Sequence, residues 1–270
     1  LSDSLQSRAC ALGLTLILAA ACTSTAASPT AEGARYFEGN ATSPTTGKLM
    51  YVEAHWVYVD VGDPSRLVLY RCPDGKPFAR KIIHDHGHPQ APDFAFDDGR
   101  TGFQEGVRSD GSKRVVYVRE RRGAQESSVT LKTSPMPVID AGFDAYIRSH
   151  WEDLGKNGSD TIPFVIPSRL GTLSFKVKRM GNAQIGGRDA RTYQLGLASW
   201  IGFALPHIDV AYDTQTRELL RFSGIANVRG SDGDNVKARI AFDPGKDKQV
   251  DRSDLDAARK MTLDGQCQIP

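Results

Sequence analysis

With 270 residues, 40% of them hydrophobic and 24% charged, the chain is long enough to bury a sizeable core and lacks the composition of a disordered segment. A formal net charge of +2 gives no electrostatic footprint for nucleic acid, so no nucleic-acid partner is expected. All-β folds often use roughly 200–250 residues as one domain. No Pro/Gly/Ser-rich linker divides the middle of the chain, which predicts one main domain.

The first segment predicts export. Arg8 precedes ALGLTLILAAAC, an apolar run too short to span a bilayer but suited to the core of a signal peptide, expected over residues 1–22. LAAAC, Leu18 to Cys22, resembles the lipobox of bacterial lipoproteins, with Ala19 where that pattern usually has Leu. The resemblance implies lipidation of Cys22, and Thr23 behind it, not Asp, points to the outer membrane on its periplasmic side. Ordinary cleavage at a small-residue site, with Cys22 discarded, is the alternative. Residues 23–47, rich in Ser, Thr, Ala, Gly and Pro, read as a flexible tether.

From residue 48 to 245 the pattern is mostly strand and turn. In KLMYVEAHWVYVD, Met50, Val52, Ala54, Trp56 and Tyr58 share one face, and Glu53 and His55 fall on the other. GDPS turns the chain into RLVLYRC, and PDG leads into KPFARKII, a strand-turn-strand pattern. Asp98-Gly99, Asp110-Gly111 and Arg122-Gly123 punctuate the next stretch, leaving KRVVYVRE and ESSVTLKT as a further hairpin. Arg119, Arg121 and Arg122 read as a solvated hairpin tip.

Val138 to Leu154 interrupts this pattern. Phe143, Ile147, Trp151 and Leu154 lie on one helical stripe, with Asp140 as N-cap, so one central helix is predicted over 140–154. Asp144, Arg148 and Glu152 occupy the opposite, solvent-facing side. Six strand-length segments come after it, ending in NVKARIAF. With no helical crossover between them they should pair antiparallel. Residues 246–270 read as a C-terminal tail with a short helix. The predicted fold class is mainly β (α+β), a curved antiparallel sheet or half-barrel of about ten strands wrapped round one helix.

Two motifs carry a resemblance: V-x-D-A-G-F-D-x-x-I-R-x-x-W-x-x-L at the helix, and Y-D-x-x-T-R-x-L at Tyr212 to Leu219. With the layout of strands around them they resemble an uncharacterised family of exported bacterial proteins, similar in plan to lipoprotein carriers of the Lol type. The resemblance implies an open β half-barrel with a concave apolar cavity for acyl chains. No carrier-specific functional residue maps onto this chain, and fold analogy does not establish function.

Phe143, Ile147 and Trp151 are expected to line a ligand cavity, joined by Trp200 and Phe203 from the apolar stretch LASWIGFALPHI, which reads as core or as the lip of that cavity. His84, His86 and His88 sit at i, i+2 and i+4, a spacing that converges three imidazoles on a metal ion if the strand persists; Gly87 and Pro89 argue that it breaks. Cys72 and Cys267 are expected to form a disulfide, since export leaves an even pair once Cys22 is acylated. Asp93, Asp97 and Asp98 could be drawn as acid/base groups but read more simply as turn formers. No nucleophile elbow or phosphate loop appears, and no cofactor is expected. The leading expectation is an envelope protein that binds an apolar or lipid-like ligand. A metal-dependent hydrolase using the histidines, or a structural role in envelope assembly, are the alternatives.

Overall fold

In the computed structural model, the described residues are 33–199 and 207–270. The expected signal peptide with Cys22, the first part of the expected tether, and Trp200 and Phe203 lie outside them. Among the described residues fifteen strands form one sheet in which every ladder is antiparallel, against the ten or so that alternation predicts.

The first meander runs through β1 (Gly33–Thr42), β2 (Leu49–Asp60), β3 (Asp63–Arg71), β4 (Pro77–His84), β5 (Asp93–Asp98), β6 (Phe103–Asp110), β7 (Lys113–Arg119) and β8 (Ser127–Thr130). Two helices come next, α1 (Gly142–Ser149) and α2 (Trp151–Asn157). A second meander then runs through β9 (Ser159–Ile166), β10 (Gly171–Ile185), β11 (Arg188–Leu197), β12 (Ile208–Asp213), β13 (Leu219–Arg229) and β14 (Asn235–Phe242). The two meanders join at β1, which pairs with β2 on one side and with β14 on the other. Its first residues also pair with β15 (Lys248–Asp251). The far ends of the path are β8 and β9, which are not paired with each other, so the sheet is open. The 3-10 turn Pro167–Arg169 after β9 packs against β6 and β7.

The extra strands have identifiable causes. β1 lies inside the stretch whose Ser, Thr, Ala, Gly and Pro content reads as tether, yet it is the seam of the sheet. Gly39 on it admits the side chains of Ile240 and Phe242, which an added Cβ would meet at 2.4–2.9 Å. β5 and β6 are hidden in the sequence by the turn signals that bound them, and β15 by its shortness. The expected tail is part of the fold. α3 (Arg252–Lys260) lays Leu255 and Ala258, both buried, on the outer face of β2 and β3 against Trp56, Tyr58, Leu67 and Leu69. Beyond it Ile269 is buried and Cys267 is bonded to Cys72, their Cα atoms 5.5 Å apart.

The single expected helix is two. The backbone leaves helical geometry at His150 (φ −100°, ψ 20°), where the Tyr146 carbonyl accepts from the His150 amide at 3.0 Å and from the Ser149 hydroxyl at 3.0 Å. Asp140 is not the N-cap; it stands one residue further out in the left-handed region (φ 44°), and Ala141 occupies the cap position. Gly142 permits the helix start to press against Gln90, whose carbonyl oxygen would lie 2.2 Å from any Cβ there. The helices fill the inner face of the second meander: Ile147, Trp151 and Leu154 pack on Ile162, Val177, Tyr193, Leu195 and Val210. Among the described residues no helix is long and apolar enough to cross a membrane.

Candidate functional site

A mouth-open cavity of about 220 Å³ lies where β1–β4, β12–β14 and the start of α1 converge. Strand alternation decides what faces it. On β3, Val68 and Tyr70 point inward while Leu67 and Leu69 point out beneath α3. The same alternation on β2 sends Trp56 and Tyr58 outward and turns Glu53 and His55 into the cavity, so the face of β2 that reads as polar exterior is an interior one. Ile83 from β4, Phe222 from β13 and Ile240 and Phe242 from β14 supply apolar parts of the wall.

On the floor, Glu53 and His55 are 8% and 6% exposed. His55 Nε2 lies 3.2 Å from Glu53 Oε2, and a carboxylate oxygen accepts, so Nε2 carries the proton. Burial lowers the His55 pKa and outweighs the bond to Glu53 and its charge, which raise it, so the ring is neutral at neutral pH. Its Nδ1 is buried without a hydrogen-bond partner. Phe37 stacks on the ring, with centroids 4.6 Å apart and planes 6° from parallel, and Phe242 meets it edge-on at 5.7 Å.

A second polar group closes the side nearest α1. Lys81 Nζ donates to both Asp140 oxygens at 2.8 and 3.0 Å and to Asn227 Oδ1 at 3.0 Å, which uses all three of its protons. The left-handed turn at Asp140 delivers that carboxylate. Asn227 in turn donates to Glu105 at 2.8 Å, and burial raises the Glu105 pKa. At the rim, Arg35 pairs with Glu218 and with Asp247, the latter at 3.2 Å; Asp144 pairs with Arg148 and lies 3.9 Å from Arg66. Asp144 and Arg148 therefore line the mouth and do not simply face solvent, as their helical spacing suggests.

The expected cavity residues separate. Phe143 lines the cavity, but Ile147 and Trp151 do not. Trp151 is 3% exposed and enclosed by Tyr193, Tyr212 and the guanidinium groups of Arg191 and Arg217, the latter 4.2 and 5.4 Å from its ring. The helical stripe buries itself in the second meander, leaving the space on its other side open. Arg217 also reaches Glu152 at 3.0 Å, so the two sequence motifs meet at Trp151 as a packing unit.

The histidines do not converge. β4 ends at His84, and positive φ at His86 and Gly87 breaks the alternation. His84 contacts the Ser65 hydroxyl, His86 pairs with Asp63 and Asp93, and His88 is exposed. Among the described residues no three His, Cys, Asp or Glu side chains are placed to hold a metal ion. Asp98 is fully buried on Arg100, and Asp93 bonds Arg114 and the Ser109 amide, both structural uses. The groups that sequence reasoning missed are Glu53, His55 and Lys81. RLVLY carried the available signal: a strand apolar on both faces is covered on both, and so is its neighbour.

No protein-family model matches the chain. No curated protein matches it either. Among solved structures it is similar to a beta-barrel-like protein of the domain of unknown function DUF1849 from Brucella abortus, with a TM-score of 0.42 and 9% identity, over 82% of this chain and 98% of that one.

Proposed function

We propose that this is an exported cell-envelope protein, anchored through a lipidated Cys22 on the periplasmic side of the outer membrane, which binds or carries an apolar, lipid-like ligand. The single observation behind the ligand reading is the cavity between the seam strands and α1, open at one mouth and apolar along Val68, Ile83, Phe222 and Ile240. Its volume of about 220 Å³ is below the roughly 300–1,000 Å³ of sites for drug-sized ligands. That size favours one short acyl chain over a whole multi-chain lipid. The apolar run behind Arg8 and the LAAAC junction support export and anchoring. The similarity in plan to Lol-type carriers adds an analogy of layout.

Protein extracted from its native membrane and examined by mass spectrometry should carry a lipidated Cys22 and a co-purifying apolar small molecule. A Cys22→Ser variant should leave the membrane fraction. Wild-type protein that is soluble and begins downstream of Cys22 would end the anchoring proposal, and an empty, ligand-indifferent cavity would end the carrier proposal.

A further inference from the structure

The outer face of the second meander is more basic than the chain as a whole. Val177, Tyr193 and Val210 point into the core, and Phe222 and Ile240 into the cavity, so alternation turns their neighbours outward. Register then sets three rows across β10–β14. The first holds Lys176, opposite Gly196, and Ile225, opposite Lys237; the second runs Lys178, Gln194, Asp209, Ser223, Arg239; the third runs Thr192, Ala211, Arg221, Ala241. At about 4.8 Å per strand, Lys178 and Arg239 stand roughly 19 Å apart. Within these rows five cations meet one acid, where the whole chain has 34 Lys and Arg against 32 Asp and Glu. That acid, Asp209, is already engaged: it pairs with His207 at 3.3 Å and accepts from Gln194 at 3.1 Å. Among the described residues none of the five cations has an ion-pair partner, and Lys176, Lys178, Lys237 and Arg239 are exposed. Met180, two residues on from Lys178, is 51% exposed, and Ile225 is 40% exposed. α3 covers the outer face of β2 and β3 while α1 and α2 lie inside, so among the described residues no helix shields this face.

We infer that this face docks on an anionic lipid surface, its five cations against the head-group phosphates and Met180 and Ile225 at head-group level. Charge complementarity selects an anionic partner, because each unpaired Lys or Arg held near anionic lipid strengthens binding about fivefold. The layout of the cluster selects a surface over a single strand, since the cations are spread both along the strands and across them. The exposed Met180 and Ile225 select lipid over a soluble polyanion, which offers nothing apolar to meet them. The supply of that surface rests on the anchoring proposed above. From Cys22 to Gly33 the extended chain spans at most about 40 Å, so the body of an anchored molecule stays within reach of the bilayer. The docking is electrostatic and released by salt, so a chain without its anchor still leaves washed membranes.

The test uses the mature chain carrying Cys22→Ser, so that docking is read apart from the anchor. Co-sedimentation is measured with vesicles of phosphatidylcholine alone and of phosphatidylcholine with about a third phosphatidylglycerol. At low salt the anionic vesicles should bind at least about tenfold more tightly than the neutral ones, and the difference should shrink at physiological salt. Replacing Lys178, Arg221 and Arg239 together by Gln should cost at least about tenfold in affinity for the anionic vesicles. Replacing Lys113, Arg121 and Lys132 together by Gln, exposed cations near β7 and β8, should not. Equal binding to both vesicle types, binding to neither, or equal losses in the two triple variants would overturn the proposal. Binding to long-chain polyphosphate without binding to vesicles would also overturn it and assign the face to a soluble polyanion. None of these outcomes touches the anchor, which the mass of Cys22 decides separately. The comparison between lipids decides the matter even if a triple variant fails to fold.

Discussion

The two meanders share one sheet but are covered from opposite sides. The second has α1 and α2 on its inner face, where Trp151, Ile147 and Leu154 complete a solid core. The first has α3 on its outer face, where Leu255 and Ala258 seal Trp56 and Leu67, and its inner face is left partly open to hold Glu53, His55 and Lys81. A helix inside consumes the interior of a barrel, whereas a helix outside releases it. Polar groups can then be placed inside because the outer layer supplies the burial that stabilises those strands.

The largest expected effect breaks the solid half. Trp151→Ala should cost about 3–5 kcal/mol in denaturant unfolding, the range for buried Trp truncation, and should not abolish ligand binding directly, because Trp151 does not line the cavity. Next comes the Cys72–Cys267 bond, which ties the tail to the first meander across 195 residues. Replacing both cysteines by Ser should lower unfolding free energy by about 2–4 kcal/mol, measured by urea midpoint. A smaller loss, about 2–3 kcal/mol for a buried Leu truncation, is expected for Leu255→Ala. That variant sharpens the contrast: it should loosen β2 from outside and so weaken cavity ligands along with stability, where Trp151→Ala affects stability first.

The smallest effect is a pH dependence confined to the open half. The folded-state pKa of His55 is depressed, so its contribution to stability is present above about pH 6.5, the ordinary histidine value, and is lost as pH falls from there toward the folded value. Glu105 acts in the opposite sense. Its folded pKa is raised, so its contribution is full below the ordinary glutamate value and is lost as pH rises through the folded one. Melting temperatures measured from about pH 7.5 down to about pH 5, across the ordinary histidine range, should therefore fall less steeply for His55→Phe than for wild type. An unchanged slope would show that the imidazole is not buried neutral.

Much of the strand pattern was legible in the sequence because alternation and Gly-containing turns mark it locally. Alternation separates two faces of a strand without saying which is inside, and β2 shows the result: its apolar face lies outward under α3 and its charged face lines the cavity. What decides this is a helix near the far end of the chain, a tertiary fact that no local window contains. The same limit applies to β1, whose Gly39 acquires its meaning from Ile240 and Phe242 across the seam. Trp151 was legible as buried but not as standing outside the cavity lining. The histidine spacing suggested convergence, and the left-handed backbone at His86 undid it.

The position of β1 also bears on how the chain reaches this state. Its partner strands β2 and β14 are nearest and nearly farthest in sequence, and Gly39 meets Phe242 only after every intervening strand has been made. Until then one edge of β1 presents unpaired backbone amides and carbonyls, a template for any extended chain nearby. Such remote pairing makes for slow folding, because loop closure must precede the contacts that reward it. The last rung of the ladder is also a wall of the cavity, since Ile240 and Phe242 arrive with β14. A partly synthesised or truncated form lacking β14 lacks those two wall residues, and the cavity is complete only once β14 has paired with β1.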